Sequence, residues 1–302
     1  MFGNDKGEIR TEMDYGFTEP IPGKRLEKDS SGRLLVVERL VRADEIGPYL
    51  GLLNEIWGFT EKEEIPLHEA VVIAKTGGLI GGLDINGAPA GIVFVMPAFN
   101  REWGFHHHSN FMGFKPEFRS GGLGLEIKRA HALWAHREGV GLVTWTFDPL
   151  QAANANLNFR KLGAVCRNYI ADLYGRMGGS FDPGLPTDRL LLEWRIGTER
   201  VQARLGGSIP SRSELEADHA GDTILTIEDE IGRPIDGPLL VRIPEGVHEQ
   251  AASDLQNAEA RLYKFRRLLS GLFDQGFVIT GMVPASDSGG RNYYILEKGE
   301  FA

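Results

Sequence analysis

The sequence predicts an α/β protein in which a mixed β-sheet carries helices on both faces. Its predicted elements follow the order β-α-α-β-β-β-α-β-α-β, with two helical crossovers late in that unit. One hairpin is marked by Asn86-Gly87, a dipeptide that accepts positive φ at both central turn positions. A chain with both hairpins and crossovers builds a sheet with antiparallel and parallel neighbours, and its helices cover both faces.

The individual elements follow from the spacing of apolar and branched residues. Runs of branched residues predict strands, and apolar residues that recur on one side of a helical projection predict helices. The predicted strands are 34–41, 79–85, 88–96, 103–114, 142–147, 190–196, 239–243, 277–283 and 292–296. The predicted helices are 43–57, 66–75, 123–137, 151–162 and 250–273. The last two strands are expected to pair as a closing hairpin.

Composition divides the chain into four predicted segments. These are an N-terminal arm at 1–33, a main domain at 34–200, a linker at 201–221 and a C-terminal strand-helix-hairpin extension at 222–302. The arm is charged and contains Gly and Pro, which is typical of a terminus that is loose or ordered only by docking. The linker is polar and contains Gly and Ser, which are typical loop residues.

Charge and composition argue against several classes of protein. The 302 residues are 42% hydrophobic and 25% charged, as in ordinary globular proteins. A net charge of −9 argues against a general binder of nucleic acid or membrane surfaces. No apolar run approaches the roughly 20 residues that span a bilayer, and residues 1–31 lack the apolar block of a secretory signal. The lone Cys166 rules out an intrachain disulfide, so we expect a cytoplasmic protein.

The strongest chemical signal is a loop between a predicted strand and a predicted helix, Arg119-Ser120-Gly121-Gly122-Leu123-Gly124. Glycines let a backbone approach a phosphate closely, and the first amides of the next helix have no internal partners. The loop lacks the Lys-Ser/Thr ending of a P-loop. It also does not follow the first strand of a repeated parallel unit, as a dinucleotide-binding fingerprint would. A tight turn without any ligand is the alternative.

Two motifs together resemble the GNAT superfamily of N-acetyltransferases over about residues 34–196. The Arg-x-x-Gly-x-Gly loop resembles the family's acyl-CoA pyrophosphate loop, and Asn154 to Ala164 looks like its helix with a Lys-x-Gly-hydrophobic end. The resemblance implies a mostly antiparallel twisted sheet that opens between its fourth and fifth strands. It implies that acetyl-CoA or another acyl-CoA binds there as cosubstrate. The implied cofactor-binding residues are Phe114, Arg119, Ser120, Gly121, Gly122, Leu123, Gly124, Asn154, Asn158 and Lys161.

The candidate catalytic residues are His108, Asp148 and Tyr174. His108 is the first candidate base, because an imidazole titrates near neutral pH; on a strand it shares a face with His106. Asp148 is a second candidate, although an aspartate there also suits a turn cap. Many family members have a tyrosine, which can protonate the departing thiolate, where this chain has Phe159.

Tyr174 or Tyr169 is expected to replace that missing tyrosine, with water as the alternative. His106 and His108 lack the further ligands that a zinc site requires, so no metal is predicted. Cys166 has no evident paired base, so direct transfer in a ternary complex is favoured over an acyl-cysteine intermediate.

Further residues resemble a less characterised bacterial branch of the superfamily, some of whose members are linked to acylation of amino acids, including succinylation. These residues are Trp145 to Pro149, Tyr174-Gly175 and Asp188-Arg189. The resemblance implies a small-molecule amine as acceptor, and Arg189 is a candidate clamp for its carboxylate. A structural ion pair is the alternative.

Two other functions stay open. The chain can be a noncatalytic acyl-CoA sensor, which Phe159 favours. It can also be an interaction protein that binds a partner through its C-terminal extension. A homodimer is compatible with either function.

Overall fold

The computed structural model of the protein describes residues 14–30, 32–58, 65–119, 121–175, 184–231, 234–286 and 289–301. The strands β1 to β13 are Thr18–Ile21, Arg25–Ser30, Arg33–Leu40, Leu79–Ile85, Ala88–Asn100, Gly104–Phe114, Leu142–Phe147, Val165–Ile170, Arg189–Arg195, Thr223–Leu225, Leu239–Arg242, Phe277–Val283 and Tyr293–Lys298. The helices α1 to α9 are Ala43–Leu50, Leu52–Trp57, Leu67–Lys75, Leu123–Arg137, Ala152–Ala155, Glu199–Leu205, Arg212–Asp218, Val247–Ala251 and Leu255–Asp274. A π-helix at Asn156–Lys161 follows α5 directly.

The strands form one sheet in the order β1-β2-β3-β4-β5-β6-β7-β9-β8-β12-β13-β11-β10. Neighbours are antiparallel except β6 with β7 and β10 with β11, which are parallel. Alternate residues of the strands face opposite sides. Helices α1 to α3 bury Ile80 and Ile92 on one face, and α4 buries Leu79 and Val93 on the other. The predicted mixed, mostly antiparallel sheet with helices on both faces is therefore confirmed.

The predicted arm and linker differ from the structure. Residues 18–30 of the arm form β1 and β2, and β2 pairs along β3 and buries Leu26. The linker contains most of α6 and all of α7; Ser211 caps α7 through a reciprocal pair of hydrogen bonds with Glu214. The sequence predicted irregular structure for both segments, because edge strands and short surface helices expose many polar side chains.

The C-terminal extension belongs to the same sheet and the same core as the rest. Strand β12 pairs with β8 through Ile279 and Cys166, and it forms the predicted closing hairpin with β13. The apolar stripe of α9 is buried within the chain, where Phe265 and Leu269 join a cluster that includes Trp194 of β9. Strand β8 was not predicted as an element, yet it connects the two halves of the sheet.

Candidate active site

Strands β6 and β7 separate after a short parallel contact. They pair at His107 with Val143 and at His108 with Thr144. Beyond that point, residues 109–114 pair with β5 alone, within the part of the chain that the structure describes. Asn110 is an extra residue in β6, because Phe111 and Ser109 pair with consecutive residues of β5. Such a bulge bends a strand, and the unpaired edge leaves backbone amides and carbonyls available to an extended ligand.

The glycine loop lies where β6 leads into α4. Gly122 has a φ of +78°, a left-handed conformation that favours glycine, and it begins α4 without a capping side chain. The first amides of α4 therefore lack intrahelical partners. Arg119 donates to the carbonyl of Ile56 at 2.7 Å and to that of Phe114 at 3.4 Å, so its side chain braces the loop against α2 and β6. Ser120 lies outside the described residues.

The π-helix packs closely against the start of α4. A Cβ atom at Gly124 would lie 3.0 Å from the Cδ2 atom of Leu157, so a larger residue would require Leu157 to shift by a few tenths of an ångström. Asn158 is buried and its Oδ1 accepts a hydrogen bond from the Trp145 indole at 3.3 Å. Asn154 is exposed and Lys161 is half-buried. The predicted residues Asn154 and Lys161 are thus accessible, whereas Asn158 positions Trp145.

Two predicted catalytic residues lie on one face of the sheet along β7. The Nδ1 atom of His108 is 2.9 Å from the Thr144 hydroxyl, and the Tyr174 hydroxyl is 2.9 Å from that of Thr146. Thr144 and Thr146 lie on the same face, about 6.6 Å apart along the strand. Burial, together with the charges of His106 and Lys128, lowers the pKa of His108. The His108 imidazole and the exposed Tyr174 phenol therefore contact two successive hydroxyl groups on one face of β7.

The remaining predicted acid–base residue, Asp148, already has two partners. Its Oδ1 accepts the amide of Leu150 at 2.8 Å, and its Oδ2 lies 2.7 Å from the Nε2 atom of His248 on α8. The hydrogen bond to Asp148 raises the pKa of His248 above its ordinary value. The carboxylate thus caps a turn and holds the extension, as the alternative interpretation expected.

Phe159 and Tyr169 lie in or just after the Asn154–Ala164 motif, and both side chains have partners inside the protein. Phe159 is fully buried and packs edge-on against Phe147 and Tyr294, with ring centroids 5.8 and 5.5 Å apart. Tyr169 donates its hydroxyl to Asp188 at 2.6 Å, and burial raises its pKa. Of Phe159, Tyr169 and Tyr174, it is therefore Tyr174 that has an accessible phenol.

Lys128 is a buried lysine at the opening that was not among the predicted site residues. Its Nζ lies 3.1 Å from the Ser109 hydroxyl and 3.9 Å from the centre of the Trp145 ring, and the residue is 2% exposed. Burial lowers its pKa to about 7. Lys128 lies four residues after Gly124, on the side of α4 that faces the sheet. A lysine at an apolar position of the helical period was the available signal.

Beside Lys128, two histidines form a second buried polar pair. The Nδ1 atom of His107 is 3.1 Å from the Nε2 atom of His131.

Among the described residues, no three His, Cys, Asp or Glu side chains are placed to hold a metal ion. Cys166 is buried, and burial raises the pKa of its thiol to about 12. No helix in the described ranges is both long and apolar enough to cross a membrane.

No protein-family model and no curated protein matches the chain. Several solved structures are similar to part of it. A GNAT-family acetyltransferase from Streptococcus pneumoniae is 18% identical, with a TM-score of 0.42 over 54% of this chain and 99% of that one. The ribosomal-protein-S18-alanine N-acetyltransferase of Escherichia coli is 13% identical, with a TM-score of 0.43 over 54% and 95%. YncA from Salmonella typhimurium, solved with acetyl-CoA, is 13% identical, with a TM-score of 0.42 over 55% and 95%.

Proposed function

We propose that this chain is a CoA-dependent N-acyltransferase of the GNAT superfamily. It transfers an acetyl or other short acyl group, with succinyl among the candidates, to a primary amine of a small molecule such as an amino acid. The observation that carries the proposal is the separation of β6 from β7 beside an uncapped, glycine-rich helix start. These two features offer an anion site and an unpaired strand edge in one place.

The loop and the strand edge would hold the acyl-CoA cosubstrate. The free amides at the start of α4, from Gly122 to Gly124, face the pyrophosphate and are reinforced by the helix dipole. Arg119 keeps the loop in shape, and Ser120 remains a predicted contact. Residues 109–114 of β6 offer backbone hydrogen bonds to the pantetheine arm and polarise the thioester carbonyl. Asn154 and Lys161 lie on the neighbouring helix and are accessible to the cosubstrate.

Acid and base roles follow from which groups are free. His108 takes the proton that the amine loses as its nitrogen bonds to the acyl carbon, because its imidazole is neutral and lies at the opening. Tyr174 supplies a proton to the sulfur as the carbon–sulfur bond breaks. Cys166 takes no part, because its buried thiol with a raised pKa is a poor nucleophile. Transfer is therefore direct, within a ternary complex.

The acceptor is expected to carry a carboxylate as well as an amine. The Arg189 guanidinium lies 5.4 Å from the centre of the Tyr174 ring and donates a hydrogen bond to the backbone carbonyl of Asp188. It has no carboxylate partner among the described residues. A cation beside the proposed acid favours amino acids over simple amines as acceptors.

The test combines cosubstrate binding with turnover. Acetyl-CoA and succinyl-CoA are titrated into the protein, and release of CoA is then followed with a panel of amino acids. Gly122→Ala is expected to weaken acyl-CoA binding at least about tenfold, because it strains the loop. Gly23→Ala is the matched control, since Gly23 also has positive φ but lies in the β1–β2 turn.

Three results would decide between the functions. Binding followed by amine-dependent release of CoA supports the enzyme. Binding without turnover for any amine favours the noncatalytic sensor. Phe159 is consistent with that function, because a phenylalanine cannot donate a proton. Equal affinity of the two glycine variants for acyl-CoA would contradict the assignment of the loop.

A further inference from the structure

Three arginines line one small cavity behind the π-helix. Arg160 belongs to the π-helix, and Arg200 and Arg204 lie one turn apart on α6. The cavity has a volume of about 150 Å³, well above the ~10–15 Å³ that one water molecule needs. Its other wall comes from the C-terminal extension, where Thr280 and Glu297 face the arginines.

The positive charge of this cavity has almost no partner in the protein. Within the described ranges, none of the three arginines forms an ion pair with an aspartate or glutamate at salt-bridge distance. Arg200 donates to the carbonyl of Gly163 at 3.1 Å and Arg204 to that of Ser208 at 2.6 Å, both neutral acceptors. The Nε atoms of Arg160 and Arg204 are buried without a hydrogen-bond partner.

The nearest carboxylate does not balance this charge. Glu297 accepts the hydroxyl of Thr280 and, as a negative charge, favours the charged form of Arg200. Burial nevertheless lowers the pKa of Arg200, and the neighbouring guanidinium of Arg204 lowers it further. Burial and the charge of Arg160 likewise lower the pKa of Arg204. Three cations are therefore held together in a protein whose net charge is −9.

All three arginines are half-buried, and partly buried cations that repel each other are unfavourable unless an anion neutralises them. Guanidinium groups that converge on a cavity are suited to bidentate hydrogen bonds with an oxyanion. We propose that this cavity binds a phosphate-type oxyanion, either free or as the phosphate group of a small molecule. The site is separate from the acyl-CoA loop and independent of the proposed reaction. It shares the π-helix with Asn158, which positions Trp145 at the opening.

The first experiment measures thermal unfolding after addition of potassium phosphate or of potassium chloride at equal ionic strength. The buffering compound is the same in both samples and contains no phosphate. Phosphate at about 100 times its Kd is expected to raise the Tm of the wild type by on the order of 5 °C. Arg160→Gln and Arg204→Gln are expected to lose this rise. Arg33→Gln, which removes an exposed arginine of β3, is expected to keep it.

A second comparison separates ligand binding from a structural role. Without phosphate, Arg160→Gln is expected to leave the Tm unchanged or to raise it, because Arg160 has no ion-pair partner among the described residues and its loss relieves repulsion. If both variants lower the Tm equally in both salts, the arginines are structural and the proposal is wrong. The same holds if phosphate stabilises Arg160→Gln as much as the wild type.

A third experiment uses titration calorimetry to separate this cavity from the proposed cosubstrate site. Inorganic phosphate is expected to bind once per chain, with and without saturating CoA. If CoA abolishes this binding, the cavity belongs to the cosubstrate site, and a separate oxyanion site is excluded. Gly122→Ala is expected to bind phosphate normally, so that failure of the proposed acyl-CoA site leaves this result intact.

Discussion

The guanidinium of Arg266 donates two hydrogen bonds, of 2.6 and 2.8 Å, to the carboxylate of Asp188. Asp188 lies just before β9 and its side chain is 1% exposed, whereas Arg266 lies on α9 of the extension. The same carboxylate accepts the Tyr169 hydroxyl at 2.6 Å and the Asp172 amide at 3.0 Å. Asp188 therefore forms its ion pair with Arg266 of α9 and not with Arg189, whose guanidinium lies beside the Tyr174 ring instead.

Removing the cation of this pair should destabilise the protein strongly. Arg266→Ala leaves the carboxylate of Asp188 buried without its counter-ion, which costs about 3 kcal/mol of unfolding free energy. Arg267→Ala, at the exposed neighbouring position, is expected to change it by less than about 0.5 kcal/mol. Urea denaturation of both variants measures the difference. Similar values for the two would show that the pair contributes little.

Local signals predicted much of the fold, whereas contacts distant in sequence were not predictable. Helix α4 and strand β7 have the predicted boundaries, 123–137 and 142–147, because apolar spacing is a property of the segment itself. The pairing of β8 with β12 joins residues more than a hundred positions apart. Strand β8 also alternates weakly, with polar side chains at Arg167 and Asn168, so its sequence resembles a loop.

The same distinction applies to the candidate site. The glycine loop was predictable because a turn and a helix start are encoded by adjacent residues. Asp148, Asp188 and Phe159 each have one partner in the C-terminal extension, and the hydrogen bond between Asp188 and Arg266 spans 78 residues of sequence. Which candidate acid or base is free is decided by such contacts. The sequence therefore predicted the turn and the helix start better than it predicted which candidate acid or base is accessible.

Phe159→Tyr introduces the tyrosine that many members of the GNAT superfamily have, but it should not supply a catalytic acid. Phe159 is fully buried, packs edge-on against Phe147 and Tyr294 and lines the arginine cavity, so the added hydroxyl enters a closely packed interior site. We expect unchanged or lower turnover and a loss of about 1–3 kcal/mol in unfolding free energy. Phe105→Tyr, at a position that is 51% exposed, is the control and should be neutral. A clear rise in turnover for Phe159→Tyr would place this residue at the sulfur.

His108 should control the acidic side of the pH–rate profile. An imidazole must be neutral to accept a proton, and the lowered pKa of His108 keeps it neutral to a lower pH than usual. Activity should therefore fall only below the ordinary histidine pKa of about 6.5. His108→Gln should reduce kcat at least about 100-fold and remove this limb.

His106→Gln is the matched control for His108, because His106 lies on the same strand face and its ring contacts the carbonyl of Gly104. It should retain most activity and keep the limb in the pH–rate profile, moved toward higher pH because His106 no longer lowers the pKa of His108. If His108→Gln keeps both the rate and the limb, another group accepts the proton.

Lys128 should make the protein more stable as the pH rises above neutrality. Burial lowers its pKa to about 7 from 10.5, so between these values the unfolded chain binds a proton that the folded chain does not. Stability increases with pH wherever the unfolded state binds more protons. Below pH 7 both states are protonated and the buried charge lowers stability by a constant amount. A shift of this size corresponds to a few kcal/mol.

Lys128→Met should flatten the rise in unfolding free energy between pH 7 and 9.5. Lys75→Met, which removes an exposed lysine at the end of α3, should preserve it. Equal slopes for the two variants in chemical denaturation would show that Lys128 stays charged in the folded protein.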